Sequence, residues 1–118
     1  MNDQTSEKGL AGERQALAYL RQHGMRPVCQ RYRCPYGEID LVMLDGECLV
    51  FVEVKLRSRG RKNDGVLAVN FQKQQRLIRA ARCYLGEYPT EMPVRFDIVE
   101  ITSEGVFHLP NAFEGSEW

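Results

Sequence analysis

GEIDLVMLDGECLVFVEVKLR, residues 37–57, decides the fold. Two runs rich in β-branched and large apolar residues, about 38–44 and 47–57, flank Asp45-Gly46. That dipeptide is a strong two-residue hairpin signal. The second run is apolar through Leu49-Val50-Phe51-Val52 and then carries Glu53 and Lys55. The first carries Asp40 between Ile39 and Leu41. Charges in core strands are costly unless paired or bound to metal, so the pattern points to a site.

With Asp45-Gly46 as the loop, Asp40 faces Phe51, and Glu53 lies one diagonal step away. Strand alternation then puts Asp40, Phe51, Glu53, Lys55 and Arg57 on one side. Ile39, Leu41, Met43, Val50, Val52, Val54 and Leu56 fall on the other, which is entirely apolar. Diagonal neighbours are about 7–8 Å apart, close enough for two carboxylates to share an ion. Two carboxylates followed by a lysine suit metal-assisted phosphodiester hydrolysis. Hard oxygen ligands hold Mg²⁺ and leave positions open for a phosphate oxygen. The ion acidifies a bound water and stabilises the attacked phosphate, while Lys55 orients the water or neutralises developing charge. The competing reading is a structural ion pair, Glu53–Lys55 or Asp40–Lys55, at a sheet end.

Upstream, Leu10, Ala16, Leu17 and Leu20 recur at helical spacing over about 6–23, with Ser6 as N-cap and Gly24 as C-cap. Glu13 lies on that apolar stripe, where it serves either as a third acidic contributor or as a boundary residue reaching water. Residues 25–33 read as an extended edge segment with Pro27, and Cys34-Pro35-Tyr36-Gly37 as a turn. Downstream, 58–65 is a polar loop. A second helix is expected over Ala68–Leu85, with the stripe Phe71, Leu77, Ile78, Ala81 and Leu85 closed by Gly86. Strands follow at VRFDIVEIT and at GVFHL (105–109), and the tail from Pro110 is expected to be loosely ordered. The order implies one α/β domain over 1–118 around a mixed sheet, with 1–6 and 111–118 outside the packed fold.

Net charge is zero but asymmetric: residues 1–80 carry +5 and residues 81–118 carry −5. Lys55, Arg57, Arg59, Arg61 and Lys62 form a basic cluster directly after the charged strand, suited to phosphate or to plain solvation. On the second helix Lys73, Arg76, Arg79 and Arg82 make a basic side, and Gln74 falls inside the stripe, able to hydrogen-bond Glu53 or a ligand. Arg95 and Asp97 share a strand face and most simply pair. His23 and His108 have no nucleophile or metal-ligand partner evident in the sequence and are assigned to structure. No aromatic platform for stacking single strands is evident.

The four cysteines match no zinc spacing; Cys48 and Cys83 read as buried thiols, and a Cys29–Cys34 disulfide is not expected in a reducing compartment. No run approaches 18 apolar residues, and MNDQTSEKG is too polar for a signal peptide. A cytoplasmic protein is expected.

Gly12-Glu13 with Ala16, Tyr19 and Leu20, then GEIDLV, LVFVEVKLRS, Lys73-Gln74-Gln75-Arg76-Leu77 and RFDIV closely resemble the YraN family of uncharacterised bacterial proteins. That family is similar to archaeal Holliday junction resolvases within the restriction-endonuclease-like superfamily. The resemblance implies a central mixed sheet flanked by helices, Mg²⁺ or Mn²⁺, and a nucleic-acid substrate. It maps the superfamily signature onto Asp40, Glu53 and Lys55, with Glu13 at the first-helix glutamate. It also implies the Val54 carbonyl as a metal ligand.

Three functions follow. The first is a nuclease on branched or structured DNA, with Arg57, Arg59, Arg61, Lys62, Lys73 and Arg76 against backbone phosphates and a homodimer to match a two-fold junction. The second is a non-catalytic nucleic-acid-binding protein using the same basic surface. The third is a protein-interaction scaffold whose charged strand residues merely pair.

Overall fold

The computed structural model describes residues 7–57 and 71–114. Helix α1 (Glu7–Gln22) precedes strands β1 (Arg26–Cys34), β2 (Gly37–Asp45) and β3 (Cys48–Leu56). Helix α2 (Phe71–Glu87) and strands β4 (Val94–Thr102) and β5 (Gly105–Phe113) complete the order. The strands form one sheet in sequence order, with β3 and β4 parallel and the other neighbours antiparallel. Parallel neighbours need a crossover connection, which α2 supplies between β3 and β4.

The two sheet faces are covered by different helices. Ile39, Val42, Leu49, Phe51 and Phe96 pack against Leu77, Ile78, Ala80, Ala81 and Tyr84 of α2. Leu41, Met43, Val50, Val52, Val99 and Ile101 pack against Ala16 and Leu20 of α1, with Met25 beside them. The arrangement is the α/β, mixed-sheet, helix-flanked fold that the restriction-endonuclease-like resemblance implies. Among the described residues no helix is long and apolar enough to cross a membrane.

Local chemistry accounts for the boundaries. At the end of α1 the Met25 amide donates to the Leu20 carbonyl and the Gly24 amide to Arg21, each at 3.0 Å. Gly24 takes φ 95°, so this is a Schellman cap with glycine at the left-handed position. At Gly12 the helix passes so close to β3 that an added Cβ would sit 3.0–3.1 Å from three carbons of Leu56. Pro27 is tolerated because β1 is an edge strand, with a register shift between Pro27 and Cys29.

Several expectations need correction. The hairpin loop is Gly46-Glu47 rather than Asp45-Gly46, because Asp45 pairs with Cys48. Gly46, at φ 62°, takes the first loop position, where a type II′ hairpin takes glycine. The shift preserves the side-chain parity of both strands. It does not preserve partners: Val42, not Asp40, faces Phe51.

The expected apolar face also fails at Ile39, which packs on the α2 side while Leu41 packs on the α1 side. Alternation breaks at Asp40, opposite which Arg31 adopts φ 57°. Leu56 is exposed rather than core. Phe71 stands 71% exposed rather than in the stripe, and α2 runs through Gly86 to Glu87. Strand β5 extends to Phe113, whose ring stacks on Phe96 at 5.1 Å, so 111–113 are strand and not tail. Cys48 and Cys83 are half-buried rather than buried, while all four thiols are free as expected, and Cys83 hydrogen-bonds Cys34. Ser6, Ala68 and the segment 58–65 lie outside the described residues.

Candidate functional site

The β2–β3 register sets the site. Leu41 pairs with Val52, and one further step places Asp40 across from Glu53. The Val54 amide donates to Asp40 Oδ2 at 2.7 Å, clamping the carboxylate of one strand to the backbone of the next. Asp40 and Glu53 line a cleft of about 210 Å³ with Gly37, Glu38, Lys73, Arg76 and Leu77. Loss of hydration in this cleft, and then the charge of Glu53, push the Asp40 carboxyl well above the ordinary range; the Val54 hydrogen bond opposes them. Two carboxylates held together in a desolvated cleft form a hard-oxygen donor set that a divalent cation fits.

Alternation after Phe51 turns Glu53, Lys55 and Arg57 toward the α2 side. There Lys73 of α2 reaches down, its Nζ 3.3 Å from Glu53 Oε2. Burial lowers the pKa of Lys55 first, and the adjacent Lys73 ammonium lowers it further, with Glu53 pulling the other way. Gln74 is half-buried on the same helix.

Glu13 approaches from α1, and the Nε of Arg31 donates to its Oε1 at 2.9 Å. The expected third acidic contributor is therefore ion-paired by an arginine that the sequence reading overlooked. Arg31 is the left-handed residue of β1, and its Nη2 is buried without a hydrogen-bond partner among the described residues. Both features mark strain kept at a special position. Among the described residues no three His, Cys, Asp or Glu side chains converge into a metal-holding group.

Glu100 was also overlooked. It is fully buried on the face of Phe96, pairs in register with Lys55, and its Oε2 lies 4.0 Å from Arg57 Nε. The signal was present in VRFDIVEIT, where a second carboxylate breaks an otherwise apolar strand. Of the expected phosphate contacts, Lys73 and Arg76 line the cleft, while Arg57 follows β3 beside Glu100. Arg59, Arg61 and Lys62 lie outside the described residues.

A second polar cluster occupies the opposite face of the sheet. Asp97 is fully buried and accepts from Arg95 Nε and Nη2, each at 2.9 Å, and from the Asn111 amide at 2.9 Å. His108 Nε2 lies 2.7 Å from it, and Arg95 also reaches Asp45 at 2.9 Å. Burial raises the Asp97 carboxyl, but His108, Arg95 and Asn111 outweigh it and hold it below the ordinary range. The expected Arg95–Asp97 pair is present. His108 meets Asp97 because β5 folds back across β4.

Residues 12–101 match the model of the uncharacterised protein family UPF0102. A UPF0102 protein of Synechococcus sp. (strain JA-3-3Ab) is 46% identical over 118 residues, covering 90% of this chain and 89% of its own. One from Janthinobacterium sp. (strain Marseille) is 44% identical over 106 residues, covering 90% and 86%. One from Legionella pneumophila (strain Philadelphia 1) is 40% identical over 114 residues, covering 93% and 97%. With its charged strand pair GEIDLV and LVFVEVKLRS inside the matched span, the chain belongs to the uncharacterised protein family UPF0102.

Proposed function

We propose that this protein is a metal-dependent nuclease that hydrolyses phosphodiester bonds in branched or structured DNA, in the manner of a Holliday junction resolvase. The observation that carries this reading is the convergence of Asp40 and Glu53 in one cleft beside Lys55 and Lys73. Asp40, Glu53 and the Val54 carbonyl would hold Mg²⁺ or Mn²⁺, which supplies an acidified water and a Lewis acid for the phosphate. Lys55, on the same face and next to Glu53, steers the attacking oxygen and offsets charge developing on the phosphate. Glu13 holds the guanidinium of Arg31, whose charge is felt at Asp40. Arg57, Lys73 and Arg76 meet backbone phosphates, contacts that are independent of base sequence and sensitive to salt. A four-way junction has two equivalent scissile strands, so the working unit is a homodimer.

A second reading is favoured by the pairing within the site. Glu53 meets Lys73 and Glu13 meets Arg31, so two of the three acidic side chains are already compensated by the chain's own cations. On this reading the protein binds nucleic acid through the same basic surface and cuts nothing.

One experiment separates the two. Labelled four-way junction, flap, duplex and single-stranded DNA are incubated with Mg²⁺ or Mn²⁺ and either the wild type or an Asp40→Ala/Glu53→Ala variant. Metal-dependent cleavage that disappears in the variant supports the nuclease. Equal, salt-sensitive binding by both proteins without cleavage supports the binding protein. Absence of both binding and cleavage removes both readings.

A further inference from the structure

Two exposed aromatic side chains stand close to the carboxylate cleft. Tyr36, in the turn between β1 and β2, is 56% exposed, and Phe71, the first described residue of α2, is 71% exposed. Lone exposed apolar residues are ordinary on protein surfaces. These two are related through Arg76. A Cβ added to Gly37 would lie 3.7 Å from the Arg76 carbonyl oxygen and 3.9 Å from the Arg76 Cβ, so the turn bearing Tyr36 rests against that part of α2. Arg76 lines the cleft with Asp40 and Glu53. It also lines an adjoining hollow with Phe71, Gln72, Gln75 and Arg79. Arg76 follows Phe71 by five positions on α2, a rise of about 7.5 Å along the helix.

We infer that Tyr36 and Phe71 are stacking surfaces for unpaired bases beside the cleft, so that the ligand is a nucleic acid with splayed nucleotides next to the bound phosphate and not a continuous duplex. This inference rests on the nucleic-acid reading above. Bases inside a duplex are stacked on one another and offer no free face, whereas an unpaired base gains from an exposed ring whatever its identity. Arg76 and Arg79 are exposed on the same helix, giving the alternation of ring and cation that tracks a single strand. The resulting specificity is for strand state, with no dependence on base sequence.

The test is equilibrium binding of the full chain in metal-free, low-salt buffer. The probes are a single strand carrying 2-aminopurine, its RNA counterpart, a flap, and a blunt duplex of equal length. Phe71→Ala and Tyr36→Ala each weaken single-strand and flap binding about tenfold, while duplex binding stays unchanged. Phe71→Trp retains wild-type affinity and quenches the 2-aminopurine emission. Comparison of the DNA and RNA strands assigns the sugar. Both sites are exposed, so the variants melt with the wild type, and any loss of affinity is local. Unchanged single-strand affinity in both alanine variants, or an equal loss on duplex, overturns the stacking role and leaves the nucleic-acid reading standing. Wild-type protein that binds none of the four probes overturns the reading beneath it.

Discussion

Asp40 Oδ2 accepts a 2.7 Å hydrogen bond from the Val54 amide, so the acid of β2 is fastened to the backbone of β3 one residue beyond Glu53. The bond fixes one carboxylate close to the other in a setting that favours neutralisation of their charge.

Asp40 therefore governs how the stability of the metal-free protein varies with pH. Its folded pKa is raised, by burial first and by Glu53 next. The associated stability is full below the ordinary carboxylate pKa and is lost as pH rises through the raised value. Asp40→Asn keeps an acceptor for Val54 and removes the charge. We expect the variant to melt higher than the metal-free wild type at neutral pH and to show a flatter profile in thermal melts between about pH 4 and 8. Millimolar Mg²⁺ should raise the wild-type melting temperature and leave the variant unmoved.

Lys73 depresses Lys55 as well as pairing with Glu53. Lys73→Gln should raise the titration midpoint of Lys55 toward that of an ordinary lysine, leaving the part caused by burial. The Lys55 Cε shift followed by carbon-13 NMR against pH reads this directly. An unmoved midpoint would assign the whole depression to burial.

Gly12 lies against the tip of Leu56, which is exposed and able to give way. Gly12→Val should cost about 1 kcal/mol or less in urea denaturation, below the range for overpacking a closed core. Leu56→Ala in the same chain should recover most of that loss, since the atoms in conflict belong to Leu56. Equal costs in the single and double variants would exclude the contact as the cause.

Asp97→Ala should destabilise by about 3–5 kcal/mol at pH 7, because it removes the buried acceptor shared by Arg95, His108 and the Asn111 amide and leaves Arg95 with Asp45 alone. Asp97 is held below the ordinary carboxylate range. Its contribution is therefore present above the unfolded carboxylate pKa and lost as pH falls through the depressed one. Acid titration of the fold should show the wild type losing stability in that window and the variant, already weakened, losing less.

The sequence by itself determined the strands, the helices and the pair of carboxylates. Period-two alternation after Phe51 places Glu53 and Lys55 on one face whatever the length of chain around them, whereas Asp40, where the alternation of β2 breaks, joins Glu53 through the β2–β3 register and the Val54 hydrogen bond. Tertiary structure alone decided which cations meet those carboxylates. Lys73 reaches Glu53 only because α2 crosses over the sheet, and Arg31 reaches Glu13 only because β1 bends at a left-handed residue beneath α1. The same holds for His108 and Asp97, separated by 11 residues and joined by the fold of β5 onto β4. Periodicity fixes the face on which a side chain lies, because it is a property of the local backbone. The partner found on that face depends on how elements distant in sequence pack, which no local pattern encodes.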